Sequence, residues 1–486
     1  MLQILVIGNQ DLYLIGNPSI TFFKQVFRRH TNFSIDTHKL HSRGDANFGQ
    51  STITTVEKYG DLLCGLYMDY KLPKLKPKLN LSWVDSVGHA IFEDITLQID
   101  EKVIDKHNGE WLFIMDQLKS ADVNKNKNDS SRRYGHVVYE NSYQTMNNTL
   151  INNGNITSFT GTNIHNNTNS VTSSQKHFTG DRFMTPLRFW FCDNYGLSLP
   201  LLCIPYSTIY LKTSHRELQQ LVNATTDIIG VVDIIDDEDK AHSSFKVWGE
   251  YIFLDRDEKR RFINTSHQYL IEVLNYQEHT LQQSQNSNLS TPVTTNSPYK
   301  YNYQEFKMNH KMSAVKLLLW VPHMSNYTTD FTISGDIYSD IQYSNRRLVK
   351  NKSKQNNWFN FSMYKHLLTD AIDTDTMYLF KNGHIRINNI KSENLPAMFY
   401  ANVIPKRFCN IVPYSNYIYM YSFAINPLDH QPSGTCNFSA LDEITLVLND
   451  INLYTTDSTD GSYVNIYSYG YNILNINSGN IYLEYN

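Results

Sequence analysis

Three histidines, His30, His38 and His41, stand close together near the N-terminus, and closely spaced imidazoles are common zinc ligands. No HExxH and no i,i+4 pair with a carboxylate helper accompanies them, so they read as structural or surface histidines. The acidic run Asp233, Asp236, Asp237, Glu238 and Asp239 carries enough charge to attract Ca²⁺. It lacks the D-x-D-x-D-G spacing of an EF-hand loop and reads as a solvated face. Lys71, Lys74, Lys76 and Lys78 could meet a phosphate, but Pro73 and Pro77 interrupt them, and a solvated loop between strands is the expectation.

No GxSxG elbow, Walker loop or GxGxxG turn after a strand occurs. Carboxylate pairs are plentiful, and their separation in space is not written in a sequence, so a β-sandwich glycosidase stays open at this level. The five cysteines, Cys64, Cys192, Cys203, Cys409 and Cys436, are scattered and form no CxxC pair. They suggest neither a zinc site nor a disulfide framework, and reduced thiols are expected. Thirteen Asn-x-Ser/Thr acceptors occur, with Asn147, Asn155 and Asn166 as candidate glycan sites in one polar stretch. The sequence therefore offers no catalytic residue, no metal ligand set and no cofactor-binding loop.

The elements that would carry these residues are mostly strands. Asp94–Asp100 alternates, with Ile95, Leu97 and Ile99 on one face, and Glu443–Asn449 does the same with Ile444, Leu446 and Leu448. Continuous apolar runs at Val315–Val321 and Tyr417–Ile425 suit strands buried on both faces. Asn382-Gly383 is the expected two-residue turn of a hairpin. Helices are expected to be few. Asn108 opens one with Trp111, Met115 and Leu118 on a stripe. Ser214 and Glu217 form a capping box ahead of Leu218, Leu221 and Val222. A third starts near Asp255 and Glu258 and carries Phe262, Leu270, Val273 and Leu274.

Composition agrees with strands. The 486 residues include 33 Tyr and 24 Phe, and only 19% are charged, against roughly 25% in ordinary soluble domains. Aromatic richness of this kind favours sheets. Gly 21 and Pro 14 exclude a collagen-like or Pro/Gly low-complexity chain, while 41% hydrophobic residues at net charge −4 exclude global disorder. The near-neutral balance gives no electrostatic case for nucleic acid. No apolar run approaches the ~20 residues of a membrane-spanning helix, and the start MLQILVIGNQD is not expected to be a secretory signal. Length allows about three domains of ~150 residues or two large β domains. An Asn-rich stretch at about 121–175 reads as surface loops, and an acidic linker at 223–244 separates two β halves, 1–222 and 245–486.

One segment is specific. Tyr13–Ser34 holds Gly16, Asn17, Pro18, Ile20, Thr21, Phe22, Phe23, Lys24, Val26, Phe27, Arg28, Arg29, Thr31, Asn32 and Phe33. It closely resembles the N-terminal signature of major capsid proteins of nucleocytoplasmic large DNA viruses, with the opening most similar to the mimivirus-related branch. Pro186–Pro200, Tyr251–Phe262 and Pro432–Ser439 resemble three further motifs of that family in the same order.

The resemblance implies an all-β fold of two consecutive eight-stranded antiparallel jelly rolls with a few short connecting helices. It implies a structural protein, not an enzyme. Three copies would form a pseudo-hexagonal capsomer, and capsomers would tile an icosahedral shell. The implied partners are two further copies, neighbouring capsomers, minor capsid and penton proteins and internal viral membrane proteins, without direct nucleic-acid binding. The implied location is the virion, with assembly in the host cytoplasm. A paralogous or minor double jelly-roll capsid protein is the alternative, and a carbohydrate-binding jelly roll is a further one. Within the signature, Ile20, Phe22 and Val26 are expected to seat one face of the first strand, while Arg28 and Arg29 need carboxylates or an interface. The segment is expected at the base of the trimer, towards the particle interior.

Overall fold

The computed structural model describes residues 8–485 apart from 10, 26, 28, 45–46, 74–80, 85, 120–137, 140–148, 153–154, 159–181, 225–243, 282–299, 309–311, 313, 324–337, 340–350, 353–357, 360, 362–377, 389, 410–416, 453–461 and 478. The first half is built on β1 Phe33–Arg43, β2 Ser51–Val56, β3 Leu62–Lys71, β4 Phe92–Ile99, β5 Lys102–His107, β6 Arg182–Pro186, β7 Ile209–His215 and β8 Ser244–Leu254. One sheet runs β5-β4-β7-β2 and the other β1-β8-β3-β6. Strand β1 belongs to both, because Phe33–Leu40 pair with β8 and His41–Arg43 pair with β2. The alternation of β4 does what its pattern demands: Ile95, Leu97 and Ile99 are buried between the sheets while Thr96 and Gln98 are half-buried.

The second half repeats the plan with β9 His267–Thr280, β10 Lys300–Lys307, β11 Ala314–His323, β12 Asn382–Ile387, β13 Ile390–Lys391, β14 Tyr419–Ser422, β15 Ile444–Asn452 and β16 Tyr463–Asn477. Its sheets run β9-β16-β11-β14 and β10-β15-β12-β13. Each half is thus an antiparallel jelly roll of eight main strands in two sheets, to which short strands are added: Val138–Tyr139 and Leu199–Pro200 in the first half, Leu395–Pro396 and Asn480–Leu483 in the second. One continuous apolar cluster passes through both rolls, from Leu40 and Trp111 to Trp320 and Ile476. Strand β11 is buried along almost its whole length, as its unbroken apolar run requires.

Several local expectations give way to tertiary pairing. Asn382-Gly383 is not a turn but the start of β12, paired with β15 and with Leu395–Pro396. A Cβ on Gly383 would lie 3.0 Å from the Leu448 side chain and 3.1 Å from Phe380, so this glycine serves close packing. The hairpin turn sits six residues later at Asn388, φ 52°, where an asparagine tolerates the left-handed region, and it joins Ile387 to Ile390. Ser214 does not cap a helix: its hydroxyl meets that of Ser51 at 2.9 Å in the β7–β2 ladder, and only a 3₁₀ turn Leu218–Leu221 follows. The helix at Asp255 is real but short, Arg256–Asn264, with the Asp255 carboxylate accepting from the Arg256 backbone N–H. Leu270, Val273 and Leu274 lie in β9, whose fourteen residues pair with β16. A ladder of that length outweighs a helical spacing that local propensity alone supports.

Phe245–Leu254, expected as the opening of the second half, pairs instead between β1 and β3 of the first. The chain therefore passes from one roll to the other after Leu254. The acidic run 233–239 and most of the stretch 121–175 lie outside the described residues, except for Val138–Tyr139 and the paired strands Thr149–Asn152 and Asn155–Ser158. Among the described residues no helix is long and apolar enough to cross a membrane.

Candidate functional site

Two features outside the cores of the rolls carry most of the polar and exposed apolar chemistry. The first is the seam between the rolls. The helix Gly109–Lys119 starts where the Asn108 carboxamide oxygen accepts from the Trp111 backbone N–H at 2.7 Å, satisfying a donor the helix itself leaves open. Gly109 admits no side chain, since a Cβ would stand 2.1 Å from the His89 carbonyl oxygen. The helix is buried on nearly every side, and its first turn faces strands of the second roll. Asn108 donates to the Tyr467 hydroxyl at 2.9 Å, and Glu110 accepts from Asn465 at 2.9 Å and from His323 at 2.8 Å. Trp111 lies against Tyr467 and Tyr469, ring centroids 5.7 and 5.0 Å away. Phe113 stacks on Phe359 at 4.2 Å.

Strand β9 would present a long open edge, a ready template for another strand. The first roll occupies part of it: the Leu274 backbone N–H donates to Asp105 at 3.1 Å, and the Tyr276 hydroxyl donates to Asp94 at 2.8 Å. On the flank of the seam the Arg216 guanidinium sits 4.0 Å from the centre of the Trp358 ring, and Trp358 donates to the Gln220 carbonyl at 2.8 Å.

Behind the seam sits a buried charge. A register shift between Val315 and Leu317 turns Lys316 out of the ladder, where it pairs with Glu272 and donates to the Asp429 carbonyl at 3.1 Å. Gly470 opposite makes room, because a Cβ there would stand 2.1 Å from the Ala314 carbonyl oxygen. The ammonium also lies over the rings of Tyr469 and Tyr471, at 4.7 and 4.8 Å. Burial pushes Lys316 below its ordinary range, and Glu272 pulls it back. Glu272 in turn accepts from Tyr469 at 2.5 Å; burial first, and Glu272 second, hold that phenol well above its ordinary value. Pairing and hydrogen bonding on every side are what allow such a charge inside a protein. All members of this cluster belong to the second roll, so it fixes the interior of that roll directly behind the seam.

The second feature is the N-terminal arm. Gly16 closes the short helix Leu12–Ile15 with its backbone N–H to the Leu12 carbonyl, and Asn17 holds φ 50° ahead of Pro18. Thr21 accepts from the Phe23 N–H at 3.3 Å. Ile20 and Phe22 do not seat a strand: they are 69% and 91% exposed in irregular chain, and the first strand begins only at Phe33. Lys24, Arg29, Thr31 and Asn32 are exposed as well, while Val26 and Arg28 lie outside the described residues.

The other candidates do not converge. His41 pairs with Glu57 at 2.7 Å on the surface, His38 stacks on Tyr59 at 4.8 Å, and His30 is exposed near Phe33. Among the described residues no three His, Cys, Asp or Glu side chains group to hold a metal ion. None of the five cysteines forms a disulfide. Lys71 lies in β3, and Lys74, Lys76 and Lys78 fall outside the described residues, as do Asn147 and Asn166; Asn155 heads a short strand. The seam residues carry no motif. One signal was available, a lysine inside the otherwise apolar run Val315–Val321, which a buried strand tolerates only with a partner.

Comparison with known proteins gives a consistent result. Residues 21–255 match the family model described as major capsid protein N-terminus, and residues 258–481 match that of the large eukaryotic DNA virus major capsid protein. The chain is 29% identical to the major capsid protein of Pyramimonas orientalis virus over 99% of this chain and 97% of that one. It is 28% identical to the major capsid protein of Paramecium bursaria Chlorella virus 1, over 98% and 97%. It is 30% identical to capsid protein 1 of Acanthamoeba polyphaga mimivirus, over 67% of this chain and 49% of that one. In fold it is similar to the protein in a quasi-atomic model of the PBCV-1 virus capsid, with a TM-score of 0.65, 23% identity and coverage of 96% and 100%. The Faustovirus major capsid protein superimposes with a TM-score of 0.59 at 11% identity, over 97% and 94%.

Proposed function

The chain belongs to the family of large eukaryotic DNA virus major capsid proteins, double jelly-roll structural proteins of the virion shell and not enzymes, and from that premise we propose that three copies close into a pseudo-hexagonal capsomer. The observation that carries this reading is the seam: two eight-stranded rolls of one chain are locked side by side by Glu110, Trp111, Asn465 and Tyr467. Two similar bodies per chain, repeated three times about one axis, give six similar corners. A closed ring of this kind is the ordinary outcome of a head-to-tail contact whose rotation closes. Capsomers would then tile an icosahedral shell, meeting one another edge to edge and minor capsid and penton proteins at special positions. Assembly in the host cytoplasm, over internal membrane proteins, completes the proposal.

We assign residues 33–254 to the first roll and those from the Asp255 helix onward to the second, following the pairing of β8. The signature residues Asn17 to Phe33 serve assembly at the trimer base, which accounts for apolar side chains left in water by a single chain. The test is the solution mass of the purified protein by light scattering after size exclusion. Three times the 56.5 kDa chain mass, stable to dilution, is expected, with an interface of well over ~2,000 Å². A stable monomer at micromolar concentration would overturn the capsomer.

A further inference from the structure

A lysine and a glutamate held in contact inside a protein have an uncharged alternative, the amide that joins them. The Lys316 side chain is 0% exposed and that of Glu272 6%, and the Lys316 Nζ touches the Glu272 Oε1, one bond from the carbon an amine would attack. Register brings them together. Glu272 on β9 stands opposite Tyr471 of β16, and the slip between Val315 and Leu317 drops Lys316 of β11 beside Gly470 and Tyr469. The rings of Tyr469 and Tyr471 cover the ammonium at 4.7 and 4.8 Å.

The surroundings suit the amide as well as the pair. An amide here has one carbonyl and one N–H to satisfy. The Tyr469 hydroxyl already donates to Glu272 Oε2 at 2.5 Å, and the Asp429 carbonyl already accepts from Lys316 Nζ at 3.1 Å. Both groups keep a partner, while two charges that were costly to bury disappear. A proton carrier stands alongside. His430 Nδ1 is shut off from water without a hydrogen-bond partner, 3.9 Å from Glu272 Oε1. Glu272, Lys316, Lys119 and Asp193 all face this ring, and burial above all keeps it below the ordinary imidazole range, hence neutral at pH 7. Burial likewise weakens the hold of Lys316 on its third proton.

We propose that Lys316 and Glu272 condense within the folded chain to an isopeptide bond that passes over β16 and staples β9 to β11. A proton first moves from the ammonium to Glu272 Oε1. The amine lone pair then attacks Glu272 Cδ, and the carbonyl electrons move onto Oε2 beneath the Tyr469 hydroxyl. His430 takes the proton the nitrogen sheds and hands it to the Oε1 hydroxyl, which leaves as water when the carbonyl re-forms. One C–N bond replaces one C–O bond, and nothing is oxidised or reduced. Fixed contact supplies the rate, since well-oriented groups reach effective molarities on the order of 10⁵–10⁸ M. The His430 side chain is 23% exposed, which gives the released water a way out. The ion pair described above is the chain before closure, and the bond lends the second roll a sheet that cannot be unzipped at β16.

The test is the intact mass of the full chain, denatured, read just after purification and at intervals of incubation at neutral pH. The expected result is a species lighter than the sequence mass by one water molecule, growing with time, whose digest contains a branched peptide joining Glu272 to Lys316. Lys316→Met and Glu272→Leu should each keep the full sequence mass. His430→Gln should slow closure about a hundredfold or more and remove its dependence on pH across the imidazole range. A wild-type chain that keeps its full mass throughout overturns the bond, whether or not the variants fold. A water loss mapped to another pair, such as Lys119 and Asp193, overturns it too. Closure at an unaltered rate and pH profile in His430→Gln overturns the proton relay.

Discussion

Trp111 of the first roll and Tyr467 of the second stack with ring centroids 5.7 Å apart and planes 28° apart, and the same tyrosine receives a hydrogen bond from Asn108, three residues before the tryptophan. Stack and hydrogen bond together make the two rolls one mechanical body. Trp111→Ala should destabilise the chain by roughly 3–5 kcal/mol, the usual cost of emptying a large aromatic site. Denaturant unfolding followed by fluorescence and by circular dichroism would show it, with the two probes separating if the rolls come apart independently. Coincident curves with an unchanged midpoint would mean the stack holds nothing.

Lys316 and Glu272 are a buried pair, so removing one member strands the other. Glu272→Leu alone is expected to cost about 3–5 kcal/mol. The double replacement Lys316→Met/Glu272→Leu should restore most of that loss, because desolvating the pair already cost much of what the pair gains. Chemical denaturation of the wild type, the two singles and the double closes the cycle. A double variant as weak as the worse single would contradict this account.

Gly470 tests backbone approach rather than packing. With Ala314 carbonyl oxygen 2.1 Å from the site of a Cβ, Gly470→Ala must push β16 off β11. A loss at or above the upper end of the roughly 1–3 kcal/mol typical of overpacking is expected. Gly8→Ala, where the nearest atom is a side-chain oxygen at 3.5 Å, provides the control. Equal melting temperatures for both variants would refute the close approach.

The pH response follows from one buried imidazole, His215, and two half-buried ones, His279 and His430. Burial holds His215 below the ordinary imidazole range, against the pull of its hydrogen bond to the Gln50 carbonyl; His279 and His430 are shifted the same way, also chiefly by burial. As pH falls, the unfolded chain takes up these protons first. The stabilisation is present above the unfolded pKa near 6.5 and is lost as pH drops below it. Melting temperature should therefore decline from about pH 6.5 downward. His215→Phe should flatten part of that slope, since the Gln50 carbonyl keeps its bond to the His215 backbone N–H at 3.0 Å. A parallel decline in the variant would assign the effect elsewhere.

Strand identity was legible wherever one side-chain period was clean, as in β4 and β15, because a half-buried pleat writes itself as alternation. Family membership was legible in Tyr13–Ser34 and its three companion motifs. The seam was not. Glu110 lies 213 residues from His323 and 355 from Asn465, and Asn108 lies 359 from Tyr467, and nothing local marks a side chain whose partner is supplied by another fold unit. Asn382-Gly383 misled for a similar reason: its local turn chemistry was real, but Leu448 and Phe380 needed the space a glycine leaves. The arm misled in the opposite sense, since its apolar residues read as core while a single chain offers them no core to join.

The insertion of β8 between β1 and β3 sets a timetable for synthesis. The inner edges of both neighbouring strands stay open until residues 244–254 have left the ribosome, so more than half of the chain is made before the first roll can close. Throughout that interval the nascent chain carries two unpaired strand edges, each able to capture a foreign strand. Contacts spanning some two hundred residues also make closure slow once it becomes available. For a protein produced in bulk, the hazardous species is thus the half-made chain, and holding those edges apart is the task any folding helper would have to perform.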